Sequence, residues 1–181
     1  MTAALDDFLQ RVRSIDDPCV LEVGTRRSDP ARPTHHRDWV PHALEYVMLD
    51  VTEGLDVDMV ADLHSLPLPT DTYDVIIASS VFEHLERPWI AAREVVRVMR
   101  PGGAAYIQTH QSFPLHGYPN DFFRFSIEAL FVIFRDAGAG ECIASYAYPA
   151  KIVPDEPVPT WNDEAAVWLN VDISITKGEE S

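Results

Sequence analysis

Two groups of residues in this sequence have the types and spacing for chemistry. The first is the segment His110-Gln-Ser-Phe-Pro-Leu-His-Gly-Tyr-Pro-Asn-Asp-Phe-Phe-Arg-Phe-Ser126, which gathers His110, His116, Tyr118, Asp121 and Arg124 among aromatic rings. Histidine changes charge near neutral pH, so His116 and His110, with Asp121 beside them, are the candidate catalytic groups for taking a proton from an acceptor. The same residues also suit a packed aromatic loop with an internal His–Asp–Arg network. The second group is Gly24, which closes one apolar run, and Asp50, which closes the next. A glycine admits a ligand where a Cβ would obstruct it, and a carboxylate at the neighbouring strand end can accept both hydroxyls of a ribose. Together they imply a ligand that contains a nucleoside.

The elements that must position these groups follow from the hydrophobic period. Leu5, Phe8, Leu9 and Val12 recur at helical spacing within Ala3 to Ile15. Short apolar runs at Cys19 to Gly24, Glu45 to Asp50, Asp58 to Asp62, Tyr73 to Ser79 and Ala104 to Thr109 read as buried strands. A short helix is expected around His35 to Leu44. A second begins at Pro88, with an apolar stripe of Ala91, Val95, Val98 and Met99 that stops at Arg100-Pro-Gly-Gly103. Ser126 is placed to cap a third, Ile127 to Ala137, with Gly138 beyond its last turn. Cys142 to Tyr148 and Trp168 to Thr176 read as two final strands, joined by a Pro-rich segment from Pro149 to Trp161. Strands alternating with helices predict one α/β domain over residues 1–181, a doubly wound, Rossmann-like parallel sheet. Residues 1–17 form its N-terminal helix and 177–181 a frayed tail. Ligands bind such sheets at the carboxyl ends of the strands, which singles out Gly24, Asp50, Ser79 and His110.

Charge narrows the partners. Lys and Arg number 14 against 29 Asp and Glu, a formal net charge of −15, and nucleic-acid binders need the opposite excess. No nucleic acid and no membrane partner is therefore expected, since no run approaches the ~20 apolar residues of a span. Cys19 and Cys142 sit in apolar runs and read as buried thiols rather than a disulfide. The N-terminus lacks the pattern of a signal peptide, so a cytoplasmic setting is expected.

Four blocks in order carry a resemblance: Val20-Leu-Glu-Val-Gly24, Val60-Ala-Asp-Leu-His-Ser-Leu-Pro-Leu-Pro69, Tyr73-Asp-Val-Ile-Ile-Ala-Ser-Ser-Val-Phe-Glu-His-Leu85 and Val96-Arg-Val-Met-Arg-Pro-Gly-Gly103. They resemble the class I S-adenosylmethionine-dependent methyltransferases, in particular the type 11 domain of the ubiquinone-biosynthesis-like branch, over roughly Cys19 to Gly138. The resemblance implies a seven-stranded sheet with an antiparallel last strand. It implies S-adenosylmethionine as cofactor, with Glu22, Gly24 and Thr25 at its methionine end, Asp50 and Val51 at its ribose, Asp62 and Leu63 at its adenine, and Ser79 and Ser80 on the far wall. His84 matches a common feature of the family beside the cofactor. The family continues its first block with two further alternate glycines, where this chain has Arg26 and Ser28. Arg26 either grips the cofactor's carboxylate or fills its pocket. A hydride-transfer enzyme is disfavoured, because no Gly-x-Gly-x-x-Gly turn is present.

No metal is expected: His35, His36 and His42 have no Cys or carboxylate at ligand spacing, and Asn120-Asp121 falls short of an acidic magnesium set. The leading reading is methyl transfer to an oxygen or nitrogen of a small metabolite, sugar or carrier-held intermediate. The alternative is a methyltransferase-fold protein that transfers no methyl, as a cyclase, an isomerase or a non-catalytic partner subunit. With only Met1 to Pro18 ahead of the first strand, the site needs a cover: a second copy of the chain, the Pro149 to Trp161 segment with Trp161 and Trp168, or the substrate.

Overall fold

The computed structural model describes residues 1–29, 31, 34–117, 119–156, 158–159 and 166–178. Seven strands form one sheet: β1 (Cys19–Val23), β2 (Glu45–Asp50), β3 (Met59–Val60), β4 (Tyr73–Ser79), β5 (Met99–His110), β6 (Cys142–Ala150) and β7 (Val167–Thr176). Their order is β3-β2-β1-β4-β5-β7-β6. β1 to β5 run parallel, and β7 is antiparallel to both β5 and β6. Strand order reverses between β1 and β4, so the crevice of a doubly wound sheet opens there. β6 has a single strand neighbour, β7. Near its end the ladder steps from Ala147 opposite Asn170 to Pro149 opposite Trp168, with Tyr148 between them at φ +59°.

Alternation sorts the sheet residues into two cores. Leu21, Val23, Ile76, Ala78, Ala105, Ile107, Val171, Ile173 and Ile175 face α2 (Pro88–Val98) and α3 (Ile127–Asp136). Val20, Val75, Ile77, Ala104 and Tyr106 face α1 (Ala3–Val12), through Phe8 and Val12. Fully burying one such side chain stabilises the fold by roughly 1.5–3 kcal/mol. The helix ends follow the expected chemistry. Thr2 accepts from Leu5 N, Ser126 accepts from Ala129 N, and Pro88 stands in the first turn of α2.

Three local readings change. Residues 35–44 contain only a 3₁₀ turn, Arg37–Trp39, because Pro41 disfavours helical backbone at Val40 before it. β5 begins at Met99 rather than Ala104. Its pairing with β4 jumps from Tyr73–Met99 to Val75–Ala104, and that irregularity accommodates Pro101. A Cβ at Gly103 would meet Asp74 O at 2.8 Å, so only glycine passes. Finally, Lys177 is no frayed tail: its ammonium reaches Asp71 Oδ1 at 2.5 Å and Met99 O at 3.0 Å. Residues 179–181 and Trp161 lie outside the described residues. Trp168 stacks on Tyr146, with ring centroids 5.9 Å apart. Both cysteines are free thiols.

Candidate functional site

At the carboxyl edge, β1 ends in Gly24 at φ +77°, and a Cβ there would run into Val81 Cγ2. The close approach that glycine permits is thus made by Val81, from the turn that follows β4. Asp50 closes β2 beside it and is half-buried. Its Oδ2 accepts Arg26 N at 3.2 Å and its Oδ1 accepts Thr52 N at 3.0 Å. A carboxylate has about four lone-pair positions, so each oxygen keeps capacity for a hydroxyl. Val51 is exposed next to it. Asp62 is exposed, holds His64 N and Nδ1 on Oδ1, and is kept below the ordinary carboxylate range by the His64 contacts, which overcome the larger opposing effect of burial. Leu63 is buried behind it. The Arg26 side chain lies over the loop after β2: its Cγ and Nε are 3.0 Å from the position of a Gly54 Cβ.

Two residues assigned to the methionine end hold the protein itself. Glu22 is buried, and both its oxygens accept His36 N at 3.0 Å. His36 Nδ1 lies 2.6 Å from Oε1, and the Tyr46 hydroxyl donates to Oε2. Burial and the adjacent Glu22 charge push the Tyr46 phenol far above its ordinary range. Thr25 is buried and donates to Asp56 O at 2.6 Å. Glu22 and Thr25 thus anchor the loop after β1, which lacks an α-helix among its described residues.

On the α1 face, Ser79, Gln108, Asp172 and Ser145 stand opposite one another across β4, β5, β7 and β6. Ser79 Oγ donates to Gln108 Oε1 at 2.8 Å, and Ser80, at φ +55°, approaches the same oxygen at 3.4 Å. A cavity of about 450 Å³ opens over this row, walled by Trp39, Tyr106, Tyr146 and Tyr148 and floored by Ser79, Gln108, Asn170 and Asp172. Asp172 accepts the hydroxyls of Tyr106, at 2.8 Å, and of Thr2. Its Oδ1 is buried without a partner, and burial raises its pKa. The alternation Asn170, Asp172, Ser174 between Val171, Ile173 and Ile175 was the signal in the sequence for this floor.

The aromatic segment after β5 brings His110 and His116 together as expected, and adds a group that the sequence reading left out. Glu83, in the 3₁₀ turn Phe82–His84, is fully buried. Its Oε2 accepts the Thr109 hydroxyl at 2.7 Å. Its Oε1 faces His110 Nε2 at 3.1 Å and the Nε2 atoms of His84 and His116 at 3.8 Å each, yet receives no well-directed hydrogen bond. Burial pushes this carboxyl up, but the facing His110 ring and the Thr109 hydroxyl outweigh it and hold it below the ordinary range. Asp121 is engaged differently. Both its oxygens pair with Arg124, at 2.5 and 2.7 Å, and Oδ2 accepts His116 N at 2.9 Å. The guanidinium holds it far below the usual carboxylate range, so it is a poor proton acceptor and serves as the anchor of the loop. Phe122 N and Phe123 N both donate to Glu83 O, which ties the loop to the turn. Only a fold that joins residue 83 to residues 110 and 116 could reveal the cluster.

A methyltransferase-domain family model matches residues 34–107. An uncharacterized methyltransferase of Mycobacterium ulcerans is 46% identical over 43 residues, which span 24% of this chain and 17% of that relative. A SAM-dependent methyltransferase from Archaeoglobus fulgidus superposes with a TM-score of 0.67 at 15% identity, covering 97% of this chain and 92% of that one. This is a domain of the class I methyltransferase fold. The [4+2]-cyclase SpnF shares that fold, with a TM-score of 0.57 at 21% identity over 77% of this chain and 59% of its own. S-adenosylmethionine is the cofactor of class I methyltransferases. The residues here fit its nucleoside portion, on the remaining capacity of Asp50 and the exposed carboxylate of Asp62. Among the described residues no helix is long and apolar enough to cross a membrane.

Proposed function

We propose that this chain binds S-adenosylmethionine at the carboxyl ends of β1, β2 and β4 and directs methyl transfer to an oxygen or nitrogen of a small-molecule or glycan-type acceptor, as a cytoplasmic enzyme. The observation that carries this reading is Asp50, a half-buried carboxylate with free capacity at the carboxyl end of β2, one strand from the point where strand order reverses. When bound, the cofactor supplies an electrophilic methyl group. Asp50 takes the ribose hydroxyls, with Val51 and Leu63 offering apolar contact to the nucleoside and Asp62 a polar one. Gly24, Ser79 and Ser80 border the methionine end. The cavity over Gln108 and Asp172 holds the acceptor, with four aromatic walls to pack against it. Methyl transfer demands chiefly positioning, with a base needed only where the acceptor loses a proton. His110, backed by Glu83, is the group to take that proton, and Asn170, which lines the cavity, contacts its Nδ1 at 3.0 Å.

Calorimetric titration with S-adenosylmethionine and, separately, S-adenosylhomocysteine tests the reading. Saturable binding of both is expected, weakened at least tenfold by Asp50→Ala in a protein that stays folded. No binding of either by the folded wild type would overturn it.

One observation favours the reading without methyl transfer. The loop after β1 has Arg26 and Ser28 where the family has glycines, and Val81 already occupies the approach to Gly24. If the wild type binds neither compound and the Arg26→Gly/Ser28→Gly double variant binds both, the fold serves another role here, as a cyclase, an isomerase or a partner subunit.

A further inference from the structure

We propose that Glu83, His84 and His116 form a binding site for a divalent first-row transition metal, with zinc its simplest occupant. One ligand atom from each of the three lies within 4.8 Å of the others. Glu83 Oε1 is 3.8 Å from both imidazole Nε2 atoms. Two metal–ligand bonds of about 2.1 Å span up to about 4.2 Å, so each of these pairs is within reach of one ion as it stands.

The protonation pattern is the second argument. His84 Nδ1 is 2.6 Å from Asn120 O, and His116 Nδ1 is 3.1 Å from Pro114 O. A backbone carbonyl can only accept, so in both rings Nδ1 carries the hydrogen and the neutral tautomer leaves a lone pair on Nε2. Both lone pairs converge on a carboxylate oxygen that is itself buried and unpartnered. His110 stands beside them, its Nε2 3.1 Å from the same Glu83 oxygen. Acceptors facing acceptors in a buried place repel unless a proton or a metal cation stands between them. Rings oriented by a carbonyl at one nitrogen with the other turned inward are the arrangement that surrounds metal-ligating histidines.

The fold also fixes the site in advance. Asp121 and Arg124 brace the loop that carries His116, and the Phe122 and Phe123 amides fasten it to Glu83 O. Two imidazoles and one carboxylate select zinc, iron, cobalt or manganese over magnesium or calcium, which prefer oxygen throughout. Three protein ligands leave at least one coordination position open, which suits an acceptor hydroxyl or amine. The binding itself does not depend on the methyl-transfer reading.

The test uses the full chain purified without a metal-affinity tag and stripped with EDTA. After dialysis against Zn²⁺, bound metal is counted by plasma mass spectrometry, and Co²⁺ is titrated in parallel while its visible absorption is followed. We expect one zinc per chain in the wild type and an intense cobalt band. Both fall at least tenfold in His116→Ala and in His84→Ala, while millimolar Mg²⁺ does not compete. His42→Ala, outside the cluster, retains the metal. Near-UV circular dichroism of the stripped proteins shows whether each variant is folded, and Glu83→Gln repeats the test without shortening a side chain. A folded wild type that binds no zinc, or variants that bind it as tightly as the wild type, would overturn the site. Either result leaves S-adenosylmethionine binding to be read separately by the Asp50 titration.

Discussion

Two loops at the carboxyl edge of the sheet, the one after β1 and the one after β5, are each held by a buried glutamate, and the glutamates differ in what they leave over. Glu22 receives the backbone N–H and ring of His36 and the Tyr46 hydroxyl, so both of its oxygens are engaged. Glu83 receives the Thr109 hydroxyl on one oxygen and turns the other toward three histidine rings. A saturated buried carboxylate fixes structure, whereas one with an unmet oxygen among ring nitrogens is a place for a proton or a cation. The loop that the family resemblance assigns to the cofactor is the one consumed by its own fold, and the loop after β5 retains chemistry. The turn after β4, which carries Glu83, meets the end of β1 where Val81 packs on Gly24.

Glu22→Ala should give the largest effect. It leaves three donors without their acceptor in a buried site and is expected to cost about 3–5 kcal/mol, as for a broken buried network, read by urea unfolding. A loss below about 1 kcal/mol would mean that solvent satisfies this loop and would erase the contrast. Gly24→Ala comes next, at about 2 kcal/mol, because it puts a side chain at positive φ and against Val81. Val81→Ala in the same chain should recover part of that loss, a coupling that a double-mutant cycle measures; strict additivity would show that the turn after β4 does not press on Gly24. Asp121→Ala should change global stability less than either. It should instead make the segment from Ser112 to Asn120 cleavable by protease and weaken zinc binding, since it releases both Arg124 and the His116 amide.

The smallest effect sharpens the contrast with a third carboxylate. Burial raises the pKa of Asp172, so the folded state holds this proton more tightly than the unfolded one. Its contribution is therefore fully present below the ordinary Asp value of about 3.9 and is lost as pH rises through the raised value. Relative to Asp172→Asn, the wild type should lose stability over that window and stay level above it. A difference that grows in favour of the wild type with pH would show that Asp172 is ionised comfortably in the fold.

The strands and their end residues were legible in the sequence because parallel strands buried on both faces leave unbroken apolar runs, and Gly24, Asp50 and Ser79 each close one. The cap at Ser126 was legible for the same local reason. What escaped was non-local. Glu83 looks like one polar residue in an apolar stretch until the fold carries Thr109, His110 and His116 to it. Glu22 looks like a ligand residue until His36 and Tyr46 arrive. The short helix expected at 35–44 failed on a single local rule, the constraint that Pro41 places on Val40.

The outer margin of the sheet has a consequence for how the protein keeps in solution. Beyond β6 an incoming strand would need a straight row of amides to copy, and the left-handed Tyr148 and the amide-free Pro149 interrupt that row where it leaves the body of the fold. The opposite margin, β3, offers two residues. The formal charge of −15 on every copy adds repulsion to these interruptions, so pairing through either rim is disfavoured and concentrated samples should stay clear where a longer, flatter edge would set to a gel.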